Sequence, residues 1–108
     1  MRLLGWLAAI VDARRTAAPD ASYTARLLAG GAPAIAQKVG EEATEVVVAA
    51  LAQTPDRLAD EAADLLYHLL VLLAAKSVPV AEVARVLTER HARAQASPGG
   101  PQPQEISR

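Results

Sequence analysis

Apolar positions recur three and four residues apart along most of the chain, and that period predicts helices. From residue 3 to about 16, Leu3, Leu4, Leu7, Ile10 and Val11 fall on one stripe. Arg14 and Arg15 close this segment, at the end where a helix dipole favours cations. The stretch "SYTARLLAGG" reads as a short helix capped by Ser22 and stopped at Gly30 or Gly31. Pro33 suits the first turn of a long helix that runs to about Gln53. The "VVV" at 46–48 favours strand locally, but the length of the segment and its acidic spacing favour helix. Gly40 costs this helix about 1 kcal/mol relative to Ala, which points to a close backbone approach. Thr54 as N-cap and Pro55 at the first helical position open the next helix, expected to reach about Lys76. "SVP" is a turn. From 80 to about 95 a last amphipathic helix carries Val80, Val83, Ala84, Leu87 and His91 on one side. The Pro- and Gly-rich "SPGGPQPQEISR" has almost nothing to bury, so residues 97–108 are expected to be a disordered tail behind one domain, 1–96. The expected fold is all-α: a helical bundle of four main helices, with one short helix between the first two.

Composition narrows this picture. The 108 residues suffice for one domain with one core, and 52% are apolar. With no Phe and one Trp, that core is Leu, Val, Ile and Ala, a helix-bundle composition. A net charge of −1 gives no field to draw nucleic acid or an anionic membrane. The longest uninterrupted apolar run, Leu69 to Ala75, is far below the roughly 18 residues of a membrane span. The opening "MRLLGWLAAIV" has the look of a short signal peptide, but Asp12 follows closely without a persuasive cleavage site, so a cytoplasmic first helix is the expectation. The absence of Cys excludes disulfides and thiolate metal sites and suits a reducing compartment. Arg outnumbers Lys nine to two, so Lys38 draws notice.

The acidic residues carry the chemistry. Each helical residue advances about 100°, so Glu42 and Glu45 share a face, Glu41 lies one turn before Glu45, and Lys38 lies one turn before Glu42. On the next long helix Glu61 and Asp64 repeat the i, i+3 spacing, with His68 one turn on. The short "AQTPD" connection makes the two helices antiparallel neighbours. Four carboxylates facing each other repel unless a cation sits among them. Hard oxygens suit Mg²⁺, or Mn²⁺, and magnesium usually takes substrate phosphates as further ligands. One ExxE is usually a solvated face; two acidic pairs on consecutive helices are far more specific. A di-iron site competes, but it uses Glu-x-x-His, and here the third-following residues are Glu45 and Asp64. His68 reads as a buried, hydrogen-bonded histidine behind the site rather than a ligand.

These residues resemble a known family. ExxE followed by ExxD resembles the all-α nucleotide pyrophosphohydrolases, and "SYTARL", "IAQKVGEEATE" and "EAADLLYHLLVLL" are similar to the phosphoribosyl-ATP pyrophosphohydrolases of histidine biosynthesis. The resemblance covers about residues 3 to 91. It implies Mg²⁺-dependent hydrolysis of phosphoribosyl-ATP to phosphoribosyl-AMP and pyrophosphate. It implies Glu42, Glu45, Glu61 and Asp64 as metal ligands, and Glu41 as the group that orients or deprotonates water. It implies Lys38, with Arg14 or Arg15, as phosphate contacts, and Ser22, Tyr23 and Thr24 as a substrate-contacting segment. It also implies a homodimer of interlocked subunits. The chain is too short, and lacks the cysteines, for the fused zinc-dependent cyclohydrolase of some relatives, so a monofunctional protein is expected. Pro79, before the last helix, and the tail after Ala96 depart from the family pattern.

Two rivals stand beside this reading. A housekeeping nucleoside triphosphate pyrophosphohydrolase would use the same carboxylates on another substrate. A non-catalytic helical dimerisation module would carry the same acids on its surface.

Overall fold

The computed structural model describes residues 2–19 and 22–96; the tail expected to be disordered, 97–108, lies outside the described residues. Among the described residues there are five helices and no strand: α1 (Arg2–Ala13), α2 (Tyr23–Gly30), α3 (Ala32–Ala52), α4 (Pro55–Ala75) and α5 (Val80–Ala96). Four are long and α2 has eight residues, as the periodicity predicts. The chain divides into two compact units, Met1–Val78 and Pro79–Arg108.

In the first unit α3 and α4 form the most extensive pair, α1 packs on α4, and α2 touches both α3 and α4. Val11, Ile35 and Val71, one from each long helix, form the fully buried centre. Leu27, Leu28, Tyr67, Leu72, Ala74 and Ala75 pack around it. Burying a side chain of this size contributes about 1.5–3 kcal/mol. In the second unit the Pro79 carbonyl accepts from the Glu82 amide at 2.9 Å and opens α5. Arg85 joins Glu82 and Glu89 along its exposed face at 2.7 and 2.8 Å. Of the residues expected on the apolar side of α5, Val83, Leu87 and His91 are exposed.

The helix ends follow local chemistry. Ser22 Oγ accepts from the Ala25 amide at 3.0 Å, and Thr54 Oγ1 from the Arg57 amide at 3.3 Å. Gly31 ends α2 and begins α3 with φ 89° and ψ 166°, a conformation that only glycine adopts without strain. At the end of α4, Ser77 takes φ 57°, its amide donates to the Ala74 carbonyl, and the Val78 amide donates to Leu73. This pair of bonds satisfies carbonyls that the helix end would orphan.

Two expectations are corrected. The first helix stops at Ala13 rather than near residue 16. The Arg14 and Arg15 amides bond to the carbonyls three residues back, Val11 and Asp12, so Arg14 and Arg15 lie in the tight turn after α1. A close approach at Gly40 is absent among the described residues: a Cβ there would meet nothing within 4 Å. Gly40 faces outward, and its carbonyl accepts from the Thr44 hydroxyl.

Candidate active site

The α3/α4 pairing brings three of the acidic residues together. Glu42 and Glu45 on α3 and Glu61 on α4 each offer a carboxylate oxygen, and these oxygens lie within 4.8 Å of one another. Glu42 and Glu61 are buried, 7% exposed each, while Glu45 is exposed. A module with merely surface acids would leave the first two in water.

Each buried carboxylate has a cation from its own helix, four residues earlier. Lys38 Nζ is 3.5 Å from Glu42 Oε1, and Arg57 Nη2 is 3.5 Å from Glu61 Oε1. Arg57 also leans towards Asp60, at 3.8 Å. Two cations thus face three carboxylates. The excess is visible at Glu42 Oε2, which is buried with no hydrogen-bond partner. An orphaned buried acceptor costs about 1–3 kcal/mol, and more when charged. It is visible again at Glu45. A shared hydrogen bond with Glu61, then the Glu61 charge, then a little desolvation push the Glu45 carboxyl above its ordinary range. Burial works against charge on Lys38, yet the Tyr23 phenol and the Glu42 carboxylate hold its ammonium above the ordinary lysine value. Three carboxylates that offer hard oxygens, one of them carrying an unpartnered oxygen, fit a divalent cation of the Mg²⁺ or Mn²⁺ type.

Beside the cluster, α2 is tied to α4. The Tyr23 hydroxyl lies 2.9 Å from His68 Nε2, and the Thr24 hydroxyl bonds to the Tyr67 hydroxyl. His68 is buried, and its Nδ1 lies 2.8 Å from the Asp64 carbonyl. It is the satisfied histidine that its sequence position suggested. Ser22 spends its hydroxyl on the α2 cap, Thr24 is buried, and Tyr23 is 45% exposed.

The other sequence candidates lie apart from the trio. The Asp64 side chain is exposed, and its carboxylate is outside the three-carboxylate group. Glu41 is exposed and accepts from Gln37 Nε2 at 3.2 Å. Arg15 pairs with Asp12 at 3.1 Å and donates to Ser77 Oγ at 3.0 Å. Ser77 lies just past the end of α4, and Ala75, the last residue of that helix, is about 21 Å from Glu61 along the axis at the usual helical rise. Arg14 sits half-buried in the turn before Arg15.

Sequence reasoning passed over Arg57 and Tyr67. Arg57 precedes Glu61 by the same four residues that separate Lys38 from Glu42, so the signal was available. Tyr67 has no such signal, because its partner Thr24 is 43 residues away.

Comparison with known proteins bears on this geometry. The family model for phosphoribosyl-ATP pyrophosphohydrolase matches residues 4–91. The chain belongs to that family. A phosphoribosyl-ATP pyrophosphatase of Cereibacter sphaeroides (strain KD131) is 53% identical over 90 residues, covering 83% of this chain and 87% of the relative. A protein of that name from Novosphingobium aromaticivorans is 54% identical over 88 residues, covering 82% of each chain. One from Erythrobacter litoralis is 52% identical over 90 residues, covering 83% of this chain and 86% of the relative. The phosphoribosyl-ATP pyrophosphohydrolase match contains the three clustered carboxylates, Lys38, Arg57 and the Tyr23–His68 pair, and stops short of the tail.

Proposed function

We propose that this chain hydrolyses phosphoribosyl-ATP to phosphoribosyl-AMP and pyrophosphate, the second step of histidine biosynthesis. The observation that carries the reading is the carboxylate trio, two of its members buried, with the unpartnered Glu42 oxygen, inside a chain matched to this family over residues 4–91. Water attacks the α-phosphorus in line; a new P–O bond forms as the bond to pyrophosphate breaks. Glu42, Glu45 and Glu61 hold Mg²⁺, with Mn²⁺ as a substitute, and Asp64 on the next turn of α4 completes the ligand set. When bound, the metal lowers the pKa of water and screens charge on the leaving pyrophosphate.

The chain's own residues supply the rest. Glu41 orients the attacking water and takes its proton. Lys38, held fully charged beside the cluster, draws the phosphates in and stabilises charge that develops on them. Ser22 shapes the start of α2, and Thr24 seats that helix on α4, so that Tyr23 faces the nucleotide.

The protein acts as a homodimer. Val47, Val48 and Leu51 on α3 are 56%, 45% and 83% exposed, and Leu66 and Leu69 on α4 are 47% and 38% exposed. So much apolar surface on one pair of helices supports burial against a second copy. Arg14 and Arg15, remote from the trio in their own chain, are assigned as phosphate contacts to the second copy's site. No helix among the described residues is long and apolar enough to cross a membrane. The cysteine-free composition suits a reducing compartment, and we assign the chain to the cytoplasm.

The deciding assay is pyrophosphate release from phosphoribosyl-ATP beside a panel of nucleoside triphosphates, with and without Mg²⁺. Preference for phosphoribosyl-ATP and loss of turnover in EDTA are expected. Equal or better turnover of ordinary triphosphates would move the chain to the housekeeping reading. Light scattering at micromolar concentration should give twice the chain mass of 11.3 kDa.

A further inference from the structure

The segment Ser22–Thr24 divides into three roles, and the middle one has a definite hydrogen-bond polarity. His68 Nδ1 lies 2.8 Å from the backbone carbonyl of Asp64. A carbonyl only accepts, so Nδ1 carries the hydrogen. The uncharged imidazole has a single N–H, which leaves Nε2 bare. Nε2 lies 2.9 Å from the Tyr23 oxygen, so with the imidazole neutral the Tyr23 hydroxyl donates a hydrogen bond to it. The phenol oxygen then turns only lone pairs outwards.

The ring is held in that pose from several sides. Tyr67 stacks on Tyr23 with centroids 6.1 Å apart and planes 22° apart, and the His68 ring stands edge-on to both. The Arg26 guanidinium lies 6.0 Å from the Tyr23 centroid. The hydroxyl bond between Thr24 and Tyr67 pins the residue after Tyr23 on α2 to the residue before His68 on α4.

We propose that His68 and Tyr67 are positioning residues that fix Tyr23 as an acceptor-only group, and that Tyr23 reads a hydrogen-bond donor on the nucleoside part of the substrate. This rests on the phosphoribosyl-ATP reading of the neighbouring carboxylates. An ionised phosphate only accepts, so an acceptor-only phenol has nothing to offer it. The helix α2 that carries Tyr23 packs against both α3 and α4, the two helices that bear the cluster where the phosphates are assigned. The groups next along a nucleotide are the pentose hydroxyls, and beyond them the exocyclic amine of the base; both donate.

The test compares wild type, Tyr23→Phe, His68→Leu, His68→Gln and the Tyr23→Phe/His68→Leu double variant on phosphoribosyl-ATP. ATP, 2′-deoxy-ATP, 3′-deoxy-ATP and inosine triphosphate serve as competing probes. Tyr23→Phe should raise KM about three- to tenfold, the equivalent of one neutral hydrogen bond, and change kcat much less. His68→Leu should raise KM by the same factor, the double variant no further, and His68→Gln, whose amide oxygen again accepts from Tyr23, should recover part of it. Wild type should bind at least one altered probe more weakly than ATP, and Tyr23→Phe should lose that preference. A penalty on the deoxy probes names a sugar hydroxyl as the donor; a penalty on the inosine probe names the base amine. Wild type that fails to turn over phosphoribosyl-ATP would sink the proposed function. Normal turnover with an unchanged KM in Tyr23→Phe, or a probe preference that survives that substitution, overturns only the Tyr23 assignment. Tyr23→Phe removes one oxygen from a half-exposed ring, so the test stands even if the buried His68 variants fail to fold.

Discussion

Glu42→Gln separates a carboxylate built to hold a cation from one built to hold the fold. The Glu42 side chain is buried, one oxygen faces Lys38 at 3.5 Å, and the other has no partner. Two further carboxylate oxygens lie within 4.8 Å. With both members ionised, a pair at that distance repels by about 0.9 kcal/mol in bulk water and about 3.5 kcal/mol at an effective dielectric of 20. Glu45 is exposed, so water screens its charge, and the repulsion comes from the buried Glu61, between those two figures. Against this, the half-exposed Lys38 pair contributes about 0–1 kcal/mol, which the substitution forfeits. Without metal the variant should therefore gain about 1–2 kcal/mol, or roughly 4–15 °C in melting temperature for a domain of this size.

Saturating Mg²⁺ should reverse the order. Ligand at a hundred times its Kd adds about 2.7 kcal/mol to the form that binds it, and Glu42→Gln loses most of that increment with its ligand oxygen. The assay is thermal unfolding of both proteins in EDTA and in MgCl₂, followed by circular dichroism. The melting curves should cross between the two buffers. A variant that melts below wild type in EDTA and gains as much from Mg²⁺ would refute the reasoning, because Glu42 would then be a structural partner of Lys38.

Three further outcomes follow from the same geometry. The raised Glu45 carboxyl gives the folded state extra proton affinity above the ordinary 4.5. The associated stability is present below that value and lost as pH rises through the raised folded-state pKa. The metal-free melting temperature should thus fall with rising pH across that range, and Glu45→Gln should flatten the slope. Asp64→Asn should leave metal-free stability level or higher while Mg²⁺-dependent turnover falls by orders of magnitude; a destabilised but fully active variant would remove Asp64 from the ligand set. Gly31→Ala should lower stability by about 1–3 kcal/mol in a urea titration, since φ 89° with ψ 166° admits no side chain without strain. An unchanged midpoint would mean that the α2–α3 junction relaxes.

The periodicity of this chain, its caps at Ser22 and Thr54, and its Gly31 stop are local properties, and they specify where the helices begin and end to within a few residues. The end of α1 was less legible: whether a chain continues as helix past Ala13 depends on carbonyl bonding in the turn, which Arg14 and Arg15 do not announce. The pairing of Lys38 with Glu42, and the common face of Glu42 and Glu45, follow from the helical repeat alone. Which carboxylates actually meet did not follow from it. Glu45 and Glu61 are brought together by the register of α3 against α4, and that register leaves the Asp64 carboxylate exposed outside the trio. Gly40 misled because a glycine inside a helix has the same sequence signature whether it faces a neighbour or open solvent. The bonds from Tyr23 to His68 and from Thr24 to Tyr67 span more than forty residues. Only the folding of α2 back onto α4 creates them, because hydrogen-bond polarity at a side chain is set by the atoms that packing places around it, and sequence spacing carries no record of those across separate helices.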